Sequence, residues 1–336
     1  MQKGVLLVNL GSPDSPSVKD VKKYLDQFLM DERVIDIPYL MRAFLVKGII
    51  VNTRSKHSAE AYKKVWWDEG SPLIVLSKRL QKKVQERVSI PVELGMRYGN
   101  PSLESGIESL HKQGVTDILL VPLYPQFAMA TTETISVLAE KIRKKKYPNI
   151  KITEVPAFYE RPDYIKVLAQ SIKETFSEDY LLFSYHGVPE RHIYKSDVTQ
   201  SHCKIDDNCC KNDSPAHNYC YRHQCFATTE AVVKELGLPE GSYGMSFQSR
   251  LGKNPWLQPY TDATIEHLAQ QGIKKLAVVT PAFVSDCLET IEEIGMEGKE
   301  EFLNAGGEEY KLIPCLNDRD DWCDTLANWI KKWQNV

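Results

Sequence analysis

Two hydrophobic patterns alternate along this chain. Short apolar runs recur, among them Val5 to Leu10 (broken only by Asn9), Ile118 to Val121 and Leu276 to Val279. Between them lie segments whose apolar residues return at helical spacing. Short apolar runs bounded by turn residues suit strands buried on both faces, and the intervening helices would cover them. The pattern predicts an α/β protein built on parallel sheets.

The pattern also repeats. Pro101, Ile107, Glu108, Leu110, Gln113 and Gly114 are answered at one offset by Pro259, Ile265, Glu266, Leu268, Gln271 and Gly272. Each copy reads as a helix with Pro near its start and Gly just past its end. Each is followed by an apolar strand and a proline, Pro122 or Pro281. Upstream, Gly95-Met96-Arg97-Tyr98 answers Gly244-Met245-Ser246-Phe247, and Leu6 to Pro13 answers Leu182 to Pro189. Two similar Rossmann-like domains are expected, 1–160 and 161–317, the second holding a cysteine-rich insert at 201–225. Residues 318–336 read as an amphipathic helix that packs back, with Trp322, Leu326, Trp329, Ile330 and Trp333 on one face.

Ligands of parallel α/β sheets bind beyond the carboxyl ends of the strands. Two such domains facing each other would make a cleft from those ends. There the repeat exposes a difference: His186 stands where the first half has Leu10. An imidazole in place of an aliphatic side chain, before Gly187-Val188-Pro189, is a candidate base or metal ligand. A second candidate follows Leu276 to Thr280. Glu289, Glu293 and Glu297 fall one helical turn apart, and like charges so arranged repel unless a cation or a proton path separates them. A solvated acidic face is the plainer reading. There is no GxGxxG, Walker loop, GxSxG or HExxH.

The formal net charge of -3 gives no bulk attraction for nucleic acid. No secretory leader is legible at the start, and no apolar run approaches the roughly 18 residues of a membrane span. A cytoplasmic location is expected, with peripheral contact at the inner membrane face as an extension. Leu40 to Val51, interrupted by Arg42 and Lys47, reads as a half-buried helix or as an apolar lip. Of eight cysteines, five lie between Cys203 and Cys225, a clustering that in a cytosolic enzyme points to metal.

Together these motifs resemble the ferrochelatases. Tyr185-His186-Gly187-Val188-Pro189-Glu190-Arg191-His192 looks like the family's histidine motif and Ser285-Asp286-Cys287-Leu288-Glu289-Thr290 like its glutamate motif. Ser246 to Arg250, Pro255-Trp256-Leu257, Gly70-Ser71-Pro72-Leu73 and Tyr124-Pro125-Gln126 agree as well. The resemblance implies a chelatase-like two-domain fold and insertion of Fe2+ into protoporphyrin IX. It implies His186 as metal contact or pyrrole proton acceptor, Glu289 as partner carboxylate, and Glu293 and Glu297 as a proton or metal path. Leu10, Tyr124, Phe247, Trp256 and Phe283 would line the porphyrin site, and Arg97 could meet a propionate. Cys287 stands where some relatives carry His and is left outside the catalytic set. Some bacterial members hold a 2Fe–2S cluster in an internal segment. By that resemblance Cys203, Cys210, Cys220 and Cys225 would bind one here, with Cys209 as the alternative to Cys210. Structural zinc or no metal are the other readings. Partners would be protoporphyrin IX, ferrous iron, a membrane surface and an upstream porphyrin-synthesis enzyme. Two rivals remain on the same fold: a cobalt or nickel chelatase of another tetrapyrrole, and a non-catalytic haem carrier.

Overall fold

The computed structural model describes residues 2–177, 179–252 and 254–336. The chain divides into two units. Unit 1 comprises Met1–Leu123, Met129–Pro156 and Asn317–Val336; unit 2 comprises Tyr124–Ala128 and Ala157–Leu316.

Each unit is built on a four-stranded parallel sheet. In unit 1 the strands are β1 (Lys3–Asn9), β2 (Val92–Met96), β3 (Asp117–Pro122) and β4 (Lys151–Glu154), in the order β2-β1-β3-β4. In unit 2 they are β5 (Tyr180–His186), β6 (Tyr243–Gln248), β7 (Lys275–Val279) and β8 (Glu309–Leu312), in the order β6-β5-β7-β8. The orders are the same, so the repeat read in the sequence is a repeat of topology. In both sheets the first strand lies inside, which is why Val5 to Val8 and Leu181 to Phe183 are fully buried.

The paired helices form for the reasons their residues suggest. Ser102 caps Leu103–Lys112 by accepting from the Ser105 amide, and Gly114 leaves the helix at φ +82. Its counterpart Thr261–Gln270 ends before Gly272 at φ +94. Pro101 and Pro259 both follow cis peptide bonds. Their carbonyls accept the Met96 and Phe247 amides at 2.7 and 2.8 Å.

These bonds fix the register. Met96 pairs with Asn9, and Phe247 with Tyr185. Leu10 and His186 are therefore equivalent, as the sequence comparison had them. The upstream alignment is corrected: Met96 corresponds to Phe247, two residues beyond Met245. The longer connection from Gln248 to Pro259 absorbs the difference.

The helix Asp320–Gln334 belongs to unit 1. Trp322, Leu326, Trp329 and Ile330 are buried, and Arg87 binds Asp320 and Asp324 at 2.8 and 2.6 Å. The segment around Leu40 is turned inside out. It runs as a helix Tyr39–Ala43, a π-helix Phe44–Ile50 and a helix Val51–Val65. Leu40 and Phe44 are 81% and 71% exposed, whereas Arg42 is buried and donates to the Ile35 and Ile37 carbonyls. Of the two charged residues in the apolar run, Arg42 serves the interior; Leu40 and Phe44 face outward, while Val46 and Val51 join a core with Leu29 and Ile35. Among the described residues no helix is long and apolar enough to cross a membrane.

Gly11 ends the β1 turn at φ +109, and a Cβ there would lie 1.8 Å from the Tyr98 carbonyl oxygen. Gly11→Ala must move backbone, so it is expected to cost at least about 2 kcal/mol in urea unfolding. An unchanged midpoint would remove this constraint from the account.

Candidate functional site

The last residue of β5 is His186, paired with Gln248 of β6. Its Nδ1 lies 2.7 Å from the Gly187 carbonyl oxygen. A carbonyl only accepts, so Nδ1 carries the proton and Nε2 keeps its lone pair for a metal or a proton. The ring meets Phe283 edge-on, with centroids 6.1 Å apart. Trp256 lies against Gly187, where a Cβ would come within 3.3 Å of its ring and 2.7 Å of the Gln248 oxygen. Only glycine lets the chain pass between them.

Beneath the strand end sits a buried polar network. The Ser184 hydroxyl donates to the Gln248 side-chain oxygen at 2.8 Å and meets Thr261, which also meets Ser246, each at 2.8 Å. The Gln248 amide then donates to the Glu289 carbonyl at 3.4 Å. Strand end and acidic helix are thus linked through one amide.

That helix, Glu289–Glu297, is wound as a π-helix, a form frequent at functional sites. Its apolar side is anchored by Ile294 in a core with Leu182, Ile265, Leu276 and Phe302. Glu289 and Glu293 are half-buried and Glu297 is exposed. Glu293 lies within electrostatic reach of both His186 and Glu289, so the structure groups these three. Burial pushes the Glu293 carboxyl up, opposed chiefly by hydrogen bonds from Ser249. Glu301, also pushed up by burial and facing Glu297 and Glu293, extends the acidic row.

Ser249 was not anticipated. It sits at φ +66, an uncommon conformation for a residue with a Cβ. Its amide donates to Glu293 at 2.7 Å and its hydroxyl to the other carboxylate oxygen. The strained backbone presents both donors to one carboxylate. No sequence signal marks such a residue, since serine is not a left-handed former. Cys287 is buried, its thiol raised by burial first and then by the adjacent Glu289 carboxylate.

The expected lining residues divide. Trp256, Phe283 and Leu10 are partly exposed. Phe247 and Tyr124, expected to line the porphyrin site, are instead buried at 2% and 6% exposure; Phe247 packs beside Tyr185. In unit 1, Arg97 binds Asp31 through Nη2 and the Thr134 hydroxyl through Nε at 2.7 Å, and stacks over Tyr98 at 4.4 Å. Two of its guanidinium nitrogens are therefore engaged internally. The Tyr98 hydroxyl adds a bond to Asp31 at 2.9 Å.

The cysteine insert is ordered by residues the sequence reading passed over. Asp197 accepts from the Thr199, His202 and Cys203 amides at 2.9 Å each. Burial opposes its charge, yet these bonds hold its carboxyl well below the usual range. His202 and His217 meet the Cys209 carbonyl at 2.6 and 3.1 Å, and His223 meets that of Cys210 at 2.9 Å. The His217 and His223 rings stack 3.6 Å apart. All five cysteines are free thiols. The Cys220 thiol is pushed up to about 12, chiefly by the neighbouring Cys203, and Cys225 feels both Cys220 and Cys210. Arg222 donates to the Cys210 sulfur at 3.2 Å. Arg222 reaches the Cys209 sulfur as well, at 3.8 Å, and Cys209 donates to the Asp206 carbonyl at 3.8 Å. Among the described residues no group of three or more His, Cys, Asp or Glu side chains is arranged to hold a single metal ion.

A family model described as ferrochelatase matches residues 2–334. A ferrochelatase of Pseudomonas fluorescens is 50% identical over 326 residues, spanning 96% of this chain and 95% of its own. One from Opitutus terrae is 48% identical over 336 residues, spanning 98% and 97%. Among solved structures, SirB from Bacillus subtilis with Fe3+ superimposes with a TM-score of 0.55 at 14% identity, over 99% of this chain and 95% of that one. A sirohydrochlorin chelatase SirB with cobalt, from Bacillus subtilis subspecies spizizenii, gives 0.53 at 12%, with the same coverage. At such identities the structures speak to the fold alone.

Asp31 supplies a test in pH. Burial works to raise its carboxyl, but Thr134, the Arg33 amide, Arg97 and Tyr98 outweigh it, and the net shift is downward. A depressed carboxylate contributes stability that is present above its unfolded value, about 3.9, and is lost as pH falls through the folded value. Asp31→Asn is expected to cost roughly 3 kcal/mol at neutral pH and to flatten the loss of stability below about pH 4. An acid limb identical to wild type in urea titrations would show that this pair contributes nothing.

Proposed function

The chain belongs to the ferrochelatase family, the enzymes that insert ferrous iron into protoporphyrin in haem synthesis, and we propose that His186 and Glu289 carry that reaction here. Insertion breaks two pyrrole N–H bonds, forms iron–nitrogen bonds and releases two protons. A site for it needs a group that takes protons near neutral pH and ligates a ferrous ion. Neutral imidazole does both. The observation that supports His186 most directly is its Nδ1 bond to Gly187, which leaves Nε2 as the acceptor.

Glu289 shares the metal or takes the second proton. Glu293, held by Ser249, and exposed Glu297 continue the route to solvent along the π-helix. The raised Glu293 carboxyl suits a relay, because a group that ionises closer to neutrality both takes and gives up a proton. In unit 2, Phe283 and Trp256 offer apolar surface to a macrocycle; in unit 1, Arg97 keeps one guanidinium nitrogen beyond its bonds to Asp31 and Thr134. The relatives near 50% identity favour iron over the cobalt or nickel reading.

The cysteine insert suits a 2Fe–2S cluster on Cys203, Cys210, Cys220 and Cys225. Four buried or half-buried thiols are gathered, and Cys209, the alternative to Cys210, donates to the Asp206 carbonyl. Such a cluster would tie down a polar loop that has little core of its own. The exposed Tyr39, Leu40, Met41 and Phe44 suit contact with a bilayer or with the enzyme that delivers the porphyrin, on the cytoplasmic side.

His186→Ala and Glu289→Gln should each lower the turnover of anaerobic ferrous insertion, read by the Soret change, by about 10²-fold or more. Porphyrin binding, read by fluorescence, should persist. Insertion that survives His186→Ala would favour the carrier. Protein isolated without added metal should contain iron and acid-labile sulfide in equal amounts, and stoichiometric zinc would refute the cluster.

A further inference from the structure

The turn that leads into the acidic π-helix is fastened by a carboxylate outside the chemistry described above. Asp286 lies just upstream of Glu289 and is buried. Its Oδ1 accepts the Thr290 hydroxyl at 2.9 Å and the Cys315 amide at 3.3 Å. Thr290 follows Glu289 directly and is fully buried. Its hydroxyl oxygen accepts the Cys287 amide at 3.0 Å. The same hydroxyl lies 3.2 Å from the Cys287 carbonyl. With one proton to give, it favours the nearer, charged oxygen of Asp286. Asp286, Cys287 and Thr290 therefore close a clasp around Leu288 and Glu289.

The far anchor of the clasp belongs to another element. Cys315 lies just past β8, where the Ile313 amide still donates to Val278 of β7 at 2.8 Å. From the opposite side, the Gln248 amide of β6 holds the Glu289 carbonyl at 3.4 Å, and Gln248 pairs with His186. Glu289 is thus held twice, through its own carbonyl and through the residue after it. The opening turn of a helix lacks internal partners for its amides, so side chains decide where it sits. An ordinary cap needs only an acceptor for a helix amide. The Asp286 clasp also reaches past β8, and so refers Glu289 to the sheet that carries His186.

We infer that Asp286 and Thr290 are positioning residues that hold Glu289 in place for the reaction at His186. This rests on the reading of Glu289 as the partner carboxylate. The consequence is specific. Opening the clasp should slow insertion without weakening porphyrin binding, and only while residue 289 carries its carboxylate.

A double-mutant cycle on the full-length protein tests it, with wild type, Thr290→Val, Glu289→Gln and the double variant. Each is assayed for anaerobic insertion of Fe2+ into protoporphyrin IX and for thermal midpoint. Thr290→Val keeps the shape of the side chain and removes only the hydroxyl. Its kcat is expected to fall about five-fold, the effect of one buried hydrogen bond, with KM for porphyrin unchanged. Thr290→Ser keeps the hydroxyl and should retain most of kcat. Asp286→Ala opens the same bond from the other side and should lower kcat as Thr290→Val does. In the Glu289→Gln background, Thr290→Val should lower the residual insertion no further, although the thermal midpoint falls as much as it does in wild type. Wild-type kcat in Thr290→Val would overturn the inference. Losses that simply multiply in the double variant would also overturn it, by showing that the clasp serves stability alone. The failure of the underlying reading looks different: Glu289→Gln would then insert iron at the wild-type rate.

Discussion

The reactive end of unit 2 depends on the amide of Gln248. Its oxygen accepts from Ser184 within β5, and its nitrogen donates to the backbone of Glu289. Strand β5 carries His186 and the π-helix carries the glutamates, so one buried side chain sets the spacing of the two chemical groups. The strand side of the network is fully inside, with Ser184 and Ser246 at 0% exposure and Gln248 at 3%, where an unsatisfied partner is costly. Such a network suits chemistry in which imidazole and carboxylate must act on one ion and one pair of protons, because positioning precedes reactivity.

Charge is arranged by the same economy. The acidic row is not a solvated helix face. Glu293 is half-buried and clamped by Ser249, whereas Glu297 is exposed, so the row grades from the His186 side toward water. The Arg97–Asp31 pair in unit 1 is the opposite case, a charge pair closed on itself by Thr134 and Tyr98. Both use hydrogen bonds to hold a carboxylate that burial would otherwise neutralise.

Much of the fold was legible because it is repeated. The runs at Val5, Ile118 and Leu276 are strands, the two Pro-to-Gly motifs are equivalent helices, and the shared strand order makes Leu10 and His186 counterparts. That substitution of imidazole for leucine was the signal that singled out His186. What stayed hidden depends on the third dimension. Phe247 and Tyr124 read as lining residues, since an aromatic at a strand end carries no mark of which way it faces, yet both are buried. Arg42 read as an interruption of an apolar surface, but its guanidinium turns inward to backbone carbonyls. Ser249 and Asp197 act through backbone geometry or backbone-amide contacts, which leave no pattern in the order of residues.

The central claim is that His186 is held with its proton on Nδ1 and presents Nε2 to the substrate. Nitrogen-15 NMR of histidine-labelled protein, with the His186 signal assigned by its loss in His186→Ala, reads this directly. The account predicts a protonated Nδ1 and a bare Nε2, and a shift of the Nε2 resonance when a diamagnetic divalent ion such as Zn2+ is added in place of Fe2+. A proton resident on Nε2, or a signal indifferent to the ion, would contradict it.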